Sequence, residues 1–223
     1  MTVAERLAGV RARIAAAAAR AGRAPEEITL VAVSKTFPPK VIAEAVAAGI
    51  TDLGENRAQE LKQKHAVLGD LARWHFVGNL QTNKVRHVVG IADLIHSVDR
   101  YGLAEAIARR ARALGVVQDV LIEVNVTGEP GKHGVEPQGL AALAGALADL
   151  EGIAVKGLMT MAPLTTDPEA ARPAFKELAR LRDELALPGP LELSMGMSGD
   201  FEVAVEEGAT LVRIGEAIFG PRR

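Results

Sequence analysis

The sequence has no cysteine among its 223 residues, only 3% aromatic residues and almost no net charge. The absence of cysteine excludes disulfides, thiol nucleophiles and thiolate metal sites. A formal charge of −2 gives no electrostatic reason to expect nucleic acid or another polyanion as a partner. No apolar run approaches the roughly 20 residues that a membrane span requires. We therefore expect neither a nucleic acid nor a membrane as a partner.

The N-terminal segment combines arginines with alanines, a composition that is found in transit peptides. Glu5 and the absence of serine argue against that interpretation, and no signal-peptide core with a cleavage site is visible. Leu7, Val10 and Ile14 recur at helical spacing, and Gly22 can end the helix. We expect a cytoplasmic protein that begins with an amphipathic helix over residues 2–21.

The rest of the chain alternates between short apolar strands and helical segments. The predicted strands are 28–36, 52–56, 74–78, 94–98, 120–125, 153–161, 191–195 and 210–215. Strict alternation implies a parallel α/β sheet with right-handed crossovers, and eight units favour a closed (β/α)8 TIM barrel. A doubly wound open sheet is the alternative. Because no linker or break in composition is apparent, we predict a single domain over residues 1–223.

The first predicted strand, ITLVAVSKT, is apolar on both faces and approaches its end at Lys35. Leu30, Val31 and Val33 are typical of a strand that is buried on both sides. Lysine is rarely buried without compensation. Lys35 is therefore either a strand-end side chain that extends to water or an amine that is needed inside a cleft.

The last two strand ends, which read SMGMSGD and RIGEAIFG, bear on this choice. In such barrels the C-terminal strand ends form the active face, and the last two loops often bind phosphate. Ser198 and Gly199 precede a helix and can present a hydroxyl and amides to an anion, while Gly215 permits close backbone approach. A phosphate combined with a lysine suggests pyridoxal phosphate bound as an imine. A phosphate-binding barrel without an imine is the alternative.

Eight segments in the same order resemble those of the pyridoxal phosphate homeostasis protein family. They are AVSKTFP at 32–38, LGENRAQE at 53–60, WHFVGNLQTNK at 74–84, IHSVD at 95–99, EVNVTGEPGKHG at 123–134, GLMTMAP at 157–163, SMGMSGDFEVAVEEGA at 194–209 and VRIGEAIFG at 212–220. The resemblance covers nearly the whole chain. It implies a single fold-type III barrel, similar to the N-terminal domain of alanine racemase, that holds pyridoxal 5'-phosphate as a Schiff base on a lysine.

The resemblance also implies the residues of the cofactor site, which are Lys35, Asn56, Ser198, Gly199, Arg213 and Gly215. Lys35 would form the Schiff base, and Arg213 would face the pyridine nitrogen. The serine and the two glycines would hold the phosphate, and Asn56 would line the ring pocket. The implied role is intracellular homeostasis of pyridoxal phosphate, or vitamin B6, with pyridoxal phosphate-dependent apoenzymes as further partners.

The chemistry of Arg213 favours binding of the cofactor without catalysis. An aspartate at the ring nitrogen would keep it protonated and make the ring a strong electron sink, whereas an arginine cannot supply that counter-charge. A racemase of this fold compensates with a second base, and the only tyrosine, Tyr101, is predicted to lie on the surface. We therefore predict a cofactor-binding protein that is not an enzyme, with a small amino-acid racemase as the alternative. We expect a monomer because no long exposed apolar stripe is apparent.

Three further features of the sequence concern the predicted site and its surroundings. Glu216 follows the eighth-strand glycine, where the family usually has a small hydroxylated residue, and we predict that its carboxylate points outward. The histidines lack metal-ligand spacing, and His75 is interpreted as a pocket or core residue. The segment GEPGKHG at 128–134 lacks the spacing of a phosphate-binding P-loop and is interpreted as a mobile surface loop near the barrel mouth.

Overall fold

The structure, a computed structural model, describes residues 1–129, 131–163 and 165–221. Eight parallel strands close into a barrel in sequence order, with the last strand paired to the first. They are Thr29–Val33 (β1), Asp52–Glu55 (β2), Arg73–Phe76 (β3), Leu94–Val98 (β4), Gln118–Glu123 (β5), Ile153–Met159 (β6), Glu192–Ser194 (β7) and Leu211–Ile214 (β8). The closed barrel confirms the predicted fold class and excludes the open sheet.

Helices surround the barrel and follow its strands. The α-helices are Val3–Arg20 (α1), Pro39–Ala47 (α2), Ala58–Leu68 (α3), Tyr101–Leu114 (α4), Pro137–Ala148 (α5), Arg172–Glu184 (α6), Phe201–Glu206 (α7) and Glu216–Phe219 (α8). Three 3-10 turns lie at Pro25–Glu27, Thr82–His87 and Pro168–Ala171. None of the helices in the described part of the chain is long and apolar enough to cross a membrane.

The extra helix α1 packs against α7 and α8, next to the loops that were predicted to bind phosphate. Thr2 and Glu5 form a capping box that satisfies backbone groups at its start. Its apolar face, which includes Leu7, Val10 and Ile14, is buried as the helical spacing predicted. The sequence analysis therefore located α1 to within one residue at each end.

The parallel register shows which side chains line the barrel interior. Side chains alternate across a strand, and registered partners point to the same side of the sheet. Val31 pairs with Asp52 and with Arg213, and it belongs to the small apolar cluster Val31, Leu94, Leu121, Met159 and Leu211. The same face carries buried polar residues, which are Asp52, His75, His96, Glu123, Ser194 and Arg213. Buried polar groups of this kind require hydrogen-bond partners.

Candidate functional site

Lys35 lies two residues beyond the end of β1, half-buried at the C-terminal end of the barrel. The Ser34 amide still donates to the Gly54 carbonyl (2.9 Å), so the strand ladder continues to the residue before the lysine. Thr36 has a φ of 70°, a left-handed conformation that is strained for a β-branched residue. This turn ends the strand before residue 36, so the predicted strand 28–36 is too long.

A buried ionic cluster supports the backbone on both sides of Lys35. Lys64 Nζ donates to the Ser34 carbonyl (2.8 Å), to Glu55 Oε1 (2.6 Å) and to Glu60 Oε2 (3.2 Å). Ser34 Oγ donates to the same Glu55 oxygen (2.5 Å), and Glu60 Oε2 accepts from the Thr36 amide (2.9 Å). Burial raises the pKa of Glu55, although the hydrogen bonds and charge of Lys64 oppose that shift. The sequence analysis did not identify this cluster.

Arg213 lies on the strand next to the one that leads to Lys35. The register of β8 with β1 pairs Ile214 with Ala32, which brings Gly215 against Val33. A Cβ at Gly215 would lie 2.9 Å from the Val33 carbonyl oxygen, so this close approach requires glycine. The eighth loop and the Lys35 turn therefore meet at the same edge of the barrel, as predicted.

The guanidinium of Arg213 is buried and held by two acceptors. Its Nη1 donates to Ser194 Oγ (2.6 Å) and its Nη2 donates to the Thr160 carbonyl (2.9 Å). Burial lowers the pKa of Arg213 to about 10, while the carboxylates of Glu123 and Asp200 act in the opposite direction. At neutral pH the group therefore remains a cation with a defined orientation.

The loops after β7 and β8 are joined by a hydrogen bond between the two segments that were predicted to bind phosphate. The Ala217 amide donates to Ser198 Oγ (3.3 Å). Ser198 is half-buried, and a Cβ at Gly199 would meet nothing within 4 Å. Glu216 is exposed at the first position of α8, in agreement with the expected outward direction of its carboxylate.

Asn56 follows β2 directly and is half-buried. Its Oδ1 atom is buried and accepts no hydrogen bond from the part of the chain that the structure describes. An unsatisfied buried acceptor costs about 1–3 kcal/mol, which a ligand that brings a donor would offset. The groups at the barrel mouth thus fit a phosphorylated aldehyde that carries a hydroxyl group. Pyridoxal phosphate has all three features.

Other predicted features occupy the expected places. Tyr101 begins α4 and is 46% exposed, which confirms its assignment to the surface. His75 is buried inside the barrel, which confirms its interpretation as a core residue. Within the 128–134 segment, Pro130 lies outside the described residues.

A cavity of about 650 Å3 lies at the opposite end of the barrel. It is lined by residues at or near the beginnings of strands, including Thr29, Arg73, Asp119 and Glu192. In (β/α)8 barrels, chemistry is confined to the C-terminal strand ends, and the other face contributes stability. We therefore assign the candidate site to the end that carries Lys35.

Glu123, at the end of β5, makes the stability of the protein depend on pH. It is buried near Asp99 and Arg213, and burial above all raises its pKa from 4.5 to about 7. A carboxyl whose pKa is raised on folding contributes stability that is present below pH 4.5 and is lost as the pH rises through about 7. At pH 8 the buried carboxylate therefore costs up to about 3 kcal/mol, at 1.36 kcal/mol per unit of pKa.

We expect Glu123→Gln to stabilise the cofactor-free protein by up to about 3 kcal/mol at pH 8 and by much less at pH 5. Urea denaturation at both pH values measures the difference in the free energy of unfolding. Glu105→Gln, at an exposed position of α4, is the control and should change neither value. An equal effect of Glu123→Gln at both pH values would contradict the assigned pKa.

Comparison with known proteins gives one family. Residues 6–223 match the family model described as alanine racemase, N-terminal domain. The chain is 51% identical over 230 residues to the pyridoxal phosphate homeostasis protein of Aquifex aeolicus, with full coverage of both chains. It is 45% identical to the protein of the same name from Pseudomonas aeruginosa, over 99% of this chain and 96% of the other.

Solved structures agree with this relationship. PipY of Synechococcus elongatus, solved with pyridoxal phosphate bound, shares 38% identity and superimposes with a TM-score of 0.84, covering 98% of this chain and all of PipY. Alanine racemase from Corynebacterium glutamicum superimposes with a TM-score of 0.71 at 19% identity, covering 97% of this chain and 62% of the racemase. The second likeness shows a common fold alone.

Proposed function

This chain belongs to the pyridoxal phosphate homeostasis protein family, and from that premise we propose that it binds pyridoxal phosphate at the barrel mouth and acts in the homeostasis of that cofactor. The observation that carries the proposal is the convergence of Lys35, the buried Arg213 cation and the joined β7 and β8 loops at one end of the barrel. PipY, which was solved with the cofactor bound, shares this fold over the whole chain.

Each group has a specific part in the proposal. Lys35 would hold the cofactor through its amine, and the bound cofactor would supply the aldehyde with which that amine condenses, releasing water. Ser198, Gly199 and Gly215 hold the phosphate. Arg213 donates a hydrogen bond to the ring nitrogen, and Asn56 lines the ring pocket.

The same arrangement favours retention of the cofactor over catalysis. Arg213 is a cation at neutral pH, so it disfavours a proton on the ring nitrogen and weakens the ring as an electron sink. Tyr101 is exposed at the start of α4 and is unsuited to act as a second base inside the site. We propose a cytoplasmic monomer that delivers or stores the cofactor for pyridoxal phosphate-dependent apoenzymes.

An absorption spectrum before and after borohydride treatment tests the covalent part of this proposal. The loaded protein should show a visible band that borohydride removes, leaving the cofactor permanently attached to a peptide that contains Lys35. A loaded protein that releases all its cofactor after borohydride treatment would refute the imine and leave a phosphate-binding barrel.

Incubation with L-alanine in deuterated water tests the proposed absence of catalysis. A cofactor-binding protein should leave the amino acid in its original configuration and free of deuterium at Cα. Stereoinversion with deuterium incorporation at an ordinary enzymatic rate would instead establish a racemase.

Glu216→Thr tests the phosphate end of the site. Because Glu216 is exposed, we expect the affinity for pyridoxal phosphate to change by less than about threefold, well below 1 kcal/mol. Equilibrium titration of both proteins, followed by absorbance, measures the change. A variant that binds the cofactor tenfold more tightly would show that the carboxylate acts on the phosphate.

A further inference from the structure

A continuous chain of buried hydrogen bonds runs through the barrel interior and ends at Arg213. Asp52 Oδ1 lies 3.0 Å from His75 Nε2, and His75 Nδ1 lies 2.9 Å from His96 Nε2. His96 Nδ1 lies 2.8 Å from Ser194 Oγ, which accepts from Arg213 Nη1. The chain thus links five side chains from five different strands, β2, β3, β4, β7 and β8.

The two ends of the chain have different surroundings. Asp52 is buried at the start of β2, accepts a hydrogen bond from Thr51 Oγ1 and forms an ion pair with Arg73, whose side chain is 64% exposed. His75 and Arg73 line the cavity at this end. Arg213 lies near the end of β8, beside the strand that leads to Lys35. The chain therefore connects the cavity lined by His75 with Arg213 of the candidate site.

The chemistry of the two terminal groups determines the direction of the hydrogen bonds at both ends of the chain. A guanidinium can only donate, so Ser194 Oγ accepts from Arg213 and its own proton is available for His96 Nδ1. A carboxylate can only accept, so His75 Nε2 carries a proton for Asp52. The remaining bond is satisfied when His96 Nε2–H donates to the unprotonated His75 Nδ1. Both histidines are then neutral Nε2–H tautomers, and each group is satisfied.

Two other arrangements, each with one doubly protonated histidine, are consistent with the distances. In the first, His75 carries protons on both nitrogens and donates to Asp52 and to His96 Nε2, with His96 Nδ1–H donating to Ser194. Ser194 Oγ would then accept hydrogen bonds from both His96 and Arg213, and its hydroxyl proton would have no acceptor in the hydrogen-bond chain. This arrangement also places an imidazolium inside the barrel. The other arrangement would place protons on both nitrogens of His96, but burial lowers the pKa of His96 well below its ordinary value.

We propose that His96, together with His75 and Ser194, positions Arg213 for the cofactor ring. Each side chain in this series donates to the next, from Arg213 through Ser194, His96 and His75 to Asp52. Both histidines are then neutral Nε2–H tautomers. The consequence for Arg213 rests on the proposed function, in which this residue faces the ring nitrogen. The tautomers themselves follow from the barrel interior alone. Because Ser194 and the Thr160 carbonyl each accept from a different Nη atom, they hold the plane of the guanidinium in place.

Long-range 1H–15N NMR correlation on the loaded, 15N-labelled protein at pH 7.5 tests the tautomers directly. His75 and His96 should each show an unprotonated Nδ1 and a protonated Nε2. Protons on both nitrogens of His75, or a protonated Nδ1 on His96, would overturn the proposed direction of the chain. This measurement requires no variant and does not depend on the affinity for the cofactor.

Substitutions at Ser194 test the positioning role. Ser194→Ala removes one of the two acceptors of Arg213, and we expect the affinity for pyridoxal phosphate to fall about tenfold, with a shifted absorption band in the loaded protein. Ser194→Thr keeps a hydroxyl and should restore both properties to within about threefold of the original. Ser97→Ala is the matched control, because Ser97 is also buried but its hydroxyl makes no hydrogen bond within the described chain.

The outcomes separate this inference from the proposed function. If the original protein binds pyridoxal phosphate but Ser194→Ala and Ser97→Ala have the same affinity and spectrum, the positioning role is wrong and the function stands. If the original protein does not bind pyridoxal phosphate, the function is wrong, and NMR still decides the tautomers. Should Ser194→Ala fail to fold, a weak-binding Ser194→Thr variant that melts like the original protein would refute the role of the hydroxyl.

Discussion

Lys35→Ala is expected to abolish the borohydride-reducible adduct and the visible absorption band of the loaded protein completely. Alanine has no amine to condense with the aldehyde, whereas the phosphate loops and Arg213 remain in place. The cofactor should therefore still bind, more weakly, and should leave on dialysis. Absorption spectra and mass spectrometry of the reduced proteins measure the loss.

Lys40→Ala is the matched control for this substitution. Lys40 is an exposed residue in the first turn of α2, five positions after Lys35, and its removal should change neither the adduct nor its spectrum. Because Lys35 is only half-buried, both variants should melt within a few degrees of the original protein. An intact, reducible adduct in Lys35→Ala would place the covalent bond on another amine.

Lys64→Met is expected to reduce the free energy of unfolding by about 3–5 kcal/mol. The substitution leaves the fully buried Glu55 carboxylate without its cation and also removes a donor from the Ser34 carbonyl. A loss of this size is a large part of the roughly 5–15 kcal/mol that stabilises a typical domain. Because burial already raises the pKa of Glu55, protonation relieves part of the cost, and the loss should be smaller at pH 5 than at pH 8.

Urea denaturation of Lys64→Met at both pH values measures this loss, with Lys62→Met as the control on the exposed face of the same helix. Adding Glu55→Gln to Lys64→Met removes the uncompensated charge and should recover at least about 1 kcal/mol at pH 8. If Lys64→Met is no more destabilising than Lys62→Met, the buried Lys64–Glu55 ion pair does not stabilise the protein.

The barrel could be predicted from the sequence because its signals are local. Strand β4 was predicted at 94–98 with the bounds that the structure has, since an apolar run between polar segments is visible in sequence. The spacing of apolar residues over 168–185 predicts a single helix, but the structure has a 3-10 turn followed by α6. Pro173 explains the difference, because proline is tolerated only in the first turn of an α-helix and so marks its start.

The groups that support the site could not be predicted in the same way. Lys64 lies among other polar residues of α3, and nothing in its neighbours distinguishes it from the exposed Lys62. His75 and His96 are 21 positions apart, and their contact depends on the register of β3 with β4. The sequence indicated only the direction of His96. Because side chains alternate along a strand, His96 lies on the same face of β4 as Leu94, towards the barrel interior.

Residue order alone determined the number of strand–helix units, their parallel direction and the end of the barrel at which Lys35, Ser198 and Arg213 appear. Those features follow from periodicity and from the handedness of chain crossovers, which act over a few residues. The partners of those side chains were decided only when the strands closed into a ring. Closure buries remote polar groups in the barrel interior, where each needs a donor or acceptor on another strand.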